Sequence, residues 1–357
     1  MSATGVTPKA YIVLVNWCNP FDTLECVQSL LQLDYPDFRV VVCDNGSTDN
    51  SMDVFHAWAE GRMSLCISRG TPGERYATLP CEAKPLTIDF LNAQIIDGAY
   101  SVPADVALDI HSQFVFVRIP ENLGFAGGNN IGLRYAQQAQ DGEIYWLLNN
   151  DTVVDPASLS QIAHKFIKNP AYGMVGVTIF HYNDPGEIQY ACGAMANSWL
   201  ATVKPIQDRR LPKASIDEFE SGIEQRVSYV SGASLAITSD FLGRVGFMEE
   251  VYFLYYEELD WVARMPLDLR IGYASEAVVY HKEGAVIGGK TVSRGPKGHI
   301  AEYYSARNKV LFTRKHNSIA LLPVVCMVLL SALSRGLKGR IRNAAIVVSA
   351  LTEGLRA

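Results

Sequence analysis

The sequence predicts an α/β fold, a mostly parallel sheet flanked by helices, followed by a helical C-terminal region of different character. Short β-rich apolar runs alternate with segments of helical spacing, first over residues 11–59 and again over 114–168, the rhythm of strands joined by crossover helices. Polar clusters stand directly after the apolar runs, where sheets of this kind bind ligands. Charge is divided as well. Residues 286–357 hold 12 Lys/Arg and 2 Asp/Glu, net +10, which leaves 19 basic and 35 acidic residues in the body, net −16, beneath an overall charge of −6.

The elements follow in order. Tyr11–Val15 reads as a strand, and Thr23–Leu33 as a helix with Leu24, Val27, Leu30 and Leu31 at helical spacing. Arg39–Cys43 is a second strand ending in the polar turn Asp44–Asp49, and a helix follows near Met52–Ala59. Arg62–Gln113 has Gly, Pro and no sustained period, and is expected to be an irregular insertion, a length of loop that is usually functional. The rhythm resumes with a strand at Phe114–Arg118, a helix at Gly128–Ala139 and a strand at Tyr145–Leu148. Asp155 as N-cap and Pro156 in the first position open a helix over Ser158–Lys168. Short strands dominate Met174–Thr238, with the charged stretch Gln207–Gln225 expected as a surface loop. A short helix at Glu257–Met265 and a last strand at Ala277–Tyr280 complete the body.

The tail begins with a basic helix at Ala301–Lys315. Ser318–Ser334 carries no charge, is shorter than the roughly 20 residues of a spanning helix, and is expected to be interrupted at Pro323. Arg335, Lys338, Arg340 and Arg342 follow. Ile341–Leu355 is amphipathic, with Ile341, Ala345, Val348, Leu351 and Leu355 on one face. A basic, apolar tail fits an anionic membrane surface; the same face would serve a homodimer through the C-terminal helices.

Composition narrows the class. Hydrophobic residues at 48% and charged residues at 19% exclude a disordered chain, and the acidic balance argues against nucleic acid as a partner. The seven cysteines make no CxxC or zinc-like spacing and read as scattered thiols of a reducing compartment. No basic segment followed by a long apolar run opens the chain. The expected location is the cytoplasm, peripheral on the inner face of the membrane.

Five clusters could carry chemistry. Asp44-Asn45-Gly46-Ser47-Thr48-Asp49 places a carboxylate beyond a strand end, able to accept from a ribose hydroxyl or a base imide; it also fits a plain turn. Asn122-Leu123-Gly124-Phe125-Ala126-Gly127-Gly128 allows close backbone approach to a phosphate before a helix, yet is neither GxGxxG nor a P-loop. Asn149-Asn150-Asp151 presents an amide oxygen and a carboxylate two residues apart, able to reach one hard cation such as Mg²⁺ or Mn²⁺, or forms a polar turn. Tyr255-Tyr256-Glu257-Glu258-Leu259-Asp260-Trp261 sets three carboxylates among aromatics, costly unless solvated, metal-bound or catalytic. On a helix Glu257 and Asp260 share a face and Glu258 points elsewhere. His281, after the last strand, could ligate a metal, hold a phosphate or sit satisfied in the core.

Taken together and in order, the segments "IVLVNW", "VVCDNGSTDNS", "NLGFAGGNNIGL", "WLLNNDTVVDP", "FLYYEELDWVAR" and "VVYHKEGAVIGG" make the chain resemble a family 2 glycosyltransferase of GT-A fold, with a Rossmann-like sheet. The ending "YYSARNKVLFTRK" is similar to bacterial rhamnosyltransferase-like members that build surface polysaccharides. The resemblance covers about residues 10–315. It implies that Asp44, with Asn45, Asn122, Gly124, Gly127 and Asn150 around it, belongs to the nucleotide-sugar site. It implies that Asp151 is the last carboxylate of a DxD metal motif whose first carboxylate is replaced by Asn149, and that His281 contacts the metal or diphosphate. Glu258 would be the catalytic base, with Glu257 its neighbour.

The implied enzyme is an inverting, metal-dependent glycosyltransferase. It would use a dTDP- or UDP-sugar, rhamnose being the leading sugar, with a glycan or lipid-linked acceptor. An oxidoreductase would want GxGxxG in the first βα turn, where "NWCNPFD" stands. The alternative is a non-catalytic nucleotide-sugar-binding or membrane scaffold protein of the same fold, for which Asn149 speaks and Glu257, Glu258 and His281 speak against. The expected domains are a glycosyltransferase body, 1–285, with the insertion at about 62–113, and the helical region 286–357.

Overall fold

The computed structural model describes residues 7–74, 86–109, 112–210, 214–282 and 298–356. Its centre is a ten-stranded sheet. In spatial order the strands are Ile88–Asn92, Phe114–Ile119, Phe38–Asn45, Ala10–Asn16, Ile144–Asn149, Ser234–Thr238, Tyr172–His181, Arg270–His281 and Thr152–Val154, and Asp184–Ala191 pairs onto Tyr172–His181. The first five run parallel. Ser234–Thr238 is antiparallel to both its neighbours, and Arg270–His281 runs parallel to Tyr172–His181.

The parallel strands are apolar on both faces because helices cover both. Tyr11, Val13, Val41, Cys43, Val115 and Val117 pack on one side, under the Gly124–Gln138 helix; Ile12, Leu14, Val40, Val42 and Phe116 pack on the other, under Pro20–Leu30, Ser51–Ala59 and Ser158–Lys168. Gly128 and Gly132 explain the closeness of that first helix: a Cβ on Gly128 would stand 2.7 Å from Val15 Cγ1, and one on Gly132 would collide with Val13. The expected α/β class and its mostly parallel sheet are therefore found.

Four local expectations are corrected. The 62–113 segment is not wholly irregular: Ile88–Asn92 joins the main sheet beside Phe114–Ile119, Gln94–Ile96 pairs with Ala99–Ser101, and Ala104–Asp109 is helical. These elements are too short to show a period. Within Gln207–Gln225 the structure has a helix, Ile216–Glu224, with a full capping box between Ser215 and Glu218. Glu220 is buried there because it pairs with Lys165 at 2.6 Å and accepts from Ser275. The helix expected from Gly128 begins at Gly124, so Gly127 and Gly128 lie inside it. Pro323 does not interrupt its segment. It falls in the first turn of Leu321–Leu337, where its missing N–H has no partner to lose.

Helices His299–His316, Leu321–Leu337 and Ile341–Arg356 pack on one another through Val310, Val324, Val328, Ala332, Val347 and Leu351. Ser318–Leu337, 20 residues of mean hydropathy 2.0, is long and apolar enough to cross a membrane by length and composition. The boundary expected near 286 lies outside the described residues. So do Cys81, Glu283 and Gly284. The six described cysteines, Cys18, Cys26, Cys43, Cys66, Cys192 and Cys326, are free thiols.

Candidate active site

The carboxyl ends of three neighbouring parallel strands carry the first part of the site. Register pairs Asn16 with Asp44 and Val15 with Asn149. Two strand spacings thus separate Asp44 from Asn149, about 10 Å. Asp44 is buried and accepts from Asn16 Nδ2 at 2.7 Å and Ser47 Oγ at 2.5 Å. Burial pushes its carboxyl up against those two hydrogen bonds. A side-chain relay joins the ends: Asn150 Nδ2 donates to Thr23 Oγ1 (2.8 Å), Thr23 Oγ1 to Asn16 Oδ1 (2.7 Å), and Asn16 to Asp44. Asn150 is therefore tied to Asp44 through the strand ends.

Asn45, Asn122 and Gly124 form a second unit. Asn45 Nδ2 donates to Asn122 Oδ1 and Gly124 O, and Asn45 Oδ1 accepts from Leu123 N–H at 3.0 Å. Gly124 is left-handed at φ +74°, and a Cβ there would strike the Phe253 carbonyl. Gly127 sits against Leu123 Cβ, and Asn129 Nδ2 bonds back to Phe125 O within the helix. This unit docks the helix onto the sheet and onto the 253 turn.

The third unit gathers Asn149, Asp151 and His281. Antiparallel pairing sets His281 opposite Thr152. Nε2 of His281 lies 3.2 Å from Asp151 Oδ1 and 3.3 Å from Asn149 Nδ2. Nδ1 lies 2.9 Å from Gln189 Oε1, an acceptor, so Nδ1 carries a proton. Nε2 stands close enough to Asp151 Oδ1 for a proton or a cation to be shared between them. Among the described residues no group of three His, Cys, Asp or Glu could hold a metal alone. One carboxylate, one imidazole and one amide suit a hard divalent ion that takes its remaining ligands from phosphates and water.

The fourth unit is the glutamate pair. Glu257–Ala263 is a helix entered through Phe253, Tyr255 and Tyr256, all left-handed at φ +62°, +71° and +79°. Phe253 centres a γ-turn, with Leu254 N–H donating to Tyr252 O at 2.7 Å. Each such non-glycine residue costs about 1–3 kcal/mol and persists only where its surroundings dictate it. Glu257 is 1% exposed, and its Oε1 finds no hydrogen-bond partner among the described residues. Burial and the neighbouring Glu258 push its carboxyl up. Glu258 faces the cleft, where burial pushes its carboxyl up to about 7; its Oε1 lies against the Gly232 backbone, 1.9 Å from where a Cβ would stand. Asp260 is locked away from the cleft, bound by Arg264 (2.7 Å), Lys315 (2.9 Å) and His316 (2.7 Å). Its carboxyl sits low because these three partners outweigh its burial.

A cleft of about 510 Å³ joins the third and fourth units. Asn149, Gln189, His281, Tyr255, Glu257 and Glu258 line it together, with Val203, Tyr229 and Lys309. Asp151 does not line it, nor do Asp44, Asn45, Asn122, Gly124, Gly127 and Asn150; Asp151 adjoins it through His281. Sequence reading missed Gln189, Gly232, Arg307 and Asn308. Gly232, between Ser231 and Ala233 before an apolar strand, is the one with a visible signal.

The pattern of Glycosyl transferase family 2 matches residues 20–76 and 97–221, just over half the chain. The chain belongs to that family. A curated relative is the low-salt glycan biosynthesis hexosyltransferase Agl10 of Haloferax volcanii, 21% identical over 157 residues, which are 43% of this chain and 47% of that one. The chain thus spans about half the length of that relative. Among solved structures, the fold is similar to mannosyltransferase PcManGT of Pyrobaculum calidifontis, in complex with GDP-Man and Mn²⁺, at TM-score 0.51 and 14% identity, covering 98% of this chain and 88% of that one. It is equally similar to residues 1–349 of S. aureus TarS in complex with UDP-GlcNAc, at TM-score 0.51 and 14% identity, with 98% and 81% covered.

Proposed function

We propose that the protein moves a sugar from a nucleoside diphosphate to a hydroxyl of a glycan or lipid-linked acceptor, by single displacement with inversion. The observation that carries this reading is the one cleft that Glu258 shares with His281 and Asn149. Glu258, poised near 7, takes the acceptor proton. The acceptor oxygen bonds to the anomeric carbon as the bond from that carbon to the phosphate oxygen breaks, and the electron pair leaves with the nucleoside diphosphate. Asp44, about two strand spacings away, holds the base or ribose, and Asn45, Asn122, Gly124, Gly127 and Asn150 keep that edge in shape. Asp151, Asn149 and His281 would hold Mg²⁺ or Mn²⁺. The ion would supply charge neutralisation for the leaving diphosphate. PcManGT and TarS, with their nucleotide-sugar complexes, support the donor class.

The catalytic body in this reading runs on through His316, and the later helices attach the enzyme to an anionic membrane. Leu322, Leu329, Leu330, Leu333 and Leu337 are exposed on the apolar helix, next to Lys338, Arg340 and Arg342. That location brings a lipid-linked acceptor to the cleft.

The test is a panel of dTDP-, UDP- and GDP-sugars, dTDP-rhamnose included, screened with Mn²⁺ or Mg²⁺ for thermal stabilisation and released nucleoside diphosphate. One donor should be turned over with Glu258 present and not in Glu258→Gln. An NMR time course should show the anomeric configuration inverted in the first-formed product. Retention, or undiminished turnover by Glu258→Gln, overturns the mechanism.

A further inference from the structure

Glu258 reaches the cleft only because residues 252–256 hold an improbable backbone path, and the side chain that holds it comes from the far end of the chain. Asn308, on the His299–His316 helix, is fully buried. Its Nδ2 donates to three carbonyls of the turn: Tyr252 O at 2.7 Å, Leu254 O at 2.8 Å and Tyr255 O at 3.0 Å. Its Oδ1 accepts from Arg307 Nη1 at 2.8 Å, which fixes the amide's orientation, and the same Nη1 donates to Val251 O at 2.8 Å. Arg307 is in turn held by Glu353 on the last helix at 3.1 Å. From the opposite side Phe125 N–H donates to Phe253 O at 2.7 Å. Neither Arg307 nor Asn308 lines the cleft, whereas Ser305 and Lys309 of the same helix do.

Three carbonyls turned toward one point repel one another unless a donor stands there. Without Nδ2 the turn loses the donor on which the three carbonyls converge, and Tyr252 O keeps only that of Leu254 N–H; the turn can then lower its energy by leaving the left-handed region. Tyr256, the last left-handed residue, directly precedes Glu257. Any rotation there swings both glutamates and lifts Glu258 off the Gly232 backbone it lies against.

We propose that Asn308, oriented by Arg307, is a positioning residue for the transfer step, fixing the 252–256 turn so that Glu258 stands against Gly232 and faces the cleft. The proposal rests on the reading of Glu258 as the base. The groups that face Glu258 are Glu257 and Tyr255 on its own segment, Tyr229 beside it, and His281 and Lys309 in the same cleft.

The experiment uses the full chain and the donor found in the nucleotide-sugar panel. Asn308→Ala, Asn308→Asp and Glu258→Gln are compared for kcat, donor KM and the pH profile of kcat/KM. A misplaced base should lower kcat by about a hundredfold in both Asn308 variants while donor KM stays within about threefold. The acid limb of the profile should move down, because a released Glu258 is better solvated. A second variant guards against simple unfolding: adding Phe253→Gly to Asn308→Ala should recover kcat by about threefold or more, since glycine takes the left-handed path without strain. Unchanged kcat, or activity that falls only with the folded fraction while the acid limb stays put, overturns the proposal. Glu258→Gln separates the two ideas. If it is active while Asn308→Ala is impaired with a shifted limb, the base assignment fails and the turn positions another group. If it is inactive while Asn308→Ala is normal, the clamp alone fails.

Discussion

The carboxylate of Glu258 lies directly against the backbone of Gly232, where a Cβ would stand 1.9 Å from Glu258 Oε1. The bare backbone of one loop therefore seats the proposed base of another. Gly232→Ala should displace that carboxylate and lower kcat by about a hundredfold, with donor affinity by calorimetry within about threefold of the parent. Full activity of Gly232→Ala would mean that Glu258 needs no such seat.

The raised carboxyl of Glu258 gives a pH dependence with a definite sign. A general base works deprotonated, so kcat/KM should rise through an apparent pKa near 7 and level off above it. Stability runs the other way. The folded state binds the proton more tightly than the unfolded chain, whose value is near 4.5, so this contribution is full below about 4.5 and lost as pH rises through about 7. Glu258→Gln removes the charge that burial opposes. Its Tm should exceed the parent's by about 2 °C or more at pH 8, and the gap should close by pH 5. A constant gap would place the titrating group elsewhere.

Much of this was legible in the chain. The strands at Tyr11, Arg39, Phe114 and Tyr145 announce themselves because a parallel sheet covered on both faces needs unbroken apolar runs. Asp44, Asn149 and His281 are visible because they follow those runs. What stayed hidden depends on contacts between distant segments. Gln189 is a polar residue in a bulged strand until its partner His281 is known. Asn45 and Asn122, read as ligand contacts, bind each other and the 123–124 backbone. Asn308 reads as one more polar residue of a basic tail until three carbonyls some fifty residues away converge on it. The helix at Ile216–Glu224 was masked by its charge, which Lys165 neutralises from another element.

The metal corner makes a prediction about the departure at residue 149. A neutral amide there lowers the ligand charge, so the chain without donor should bind Mn²⁺ weakly and gain affinity when the diphosphate arrives. Asn149→Asp should tighten donor-free Mn²⁺ binding by about tenfold, and Asp151→Ala should reduce donor affinity in Mn²⁺ to its metal-free level. Gln189→Leu frees His281 Nδ1 and should weaken Mn²⁺ binding in the donor complex by about tenfold or more. Titration calorimetry with and without the donor reads all three. Donor affinity unaffected by Asp151→Ala in Mn²⁺ would remove the metal from this corner.

Attachment through the last helices makes the final prediction. Val324, Val328 and Ala332 are buried against the neighbouring C-terminal helices, so Leu321–Leu337 turns Leu322, Leu329, Leu330 and Leu333 outward. Lys338, Arg340 and Arg342 lie at its end and carry no acidic partner among the described ion pairs. An apolar face edged by cations adds hydrophobic insertion to about 1 kcal/mol of electrostatic attraction per basic residue. The full chain should therefore float with vesicles containing phosphatidylglycerol, more at low salt than at high, and less with phosphatidylcholine alone. Reversing Lys338, Arg340 and Arg342 to Glu should cut binding to anionic vesicles by at least about tenfold, while turnover of a soluble acceptor analogue is retained. Alkaline carbonate should release the bound protein, as it does not for a spanning helix. If the chain stays off anionic vesicles and sediments as a dimer that Leu330→Glu dissociates, the exposed face belongs to a second copy of the chain and the membrane reading fails.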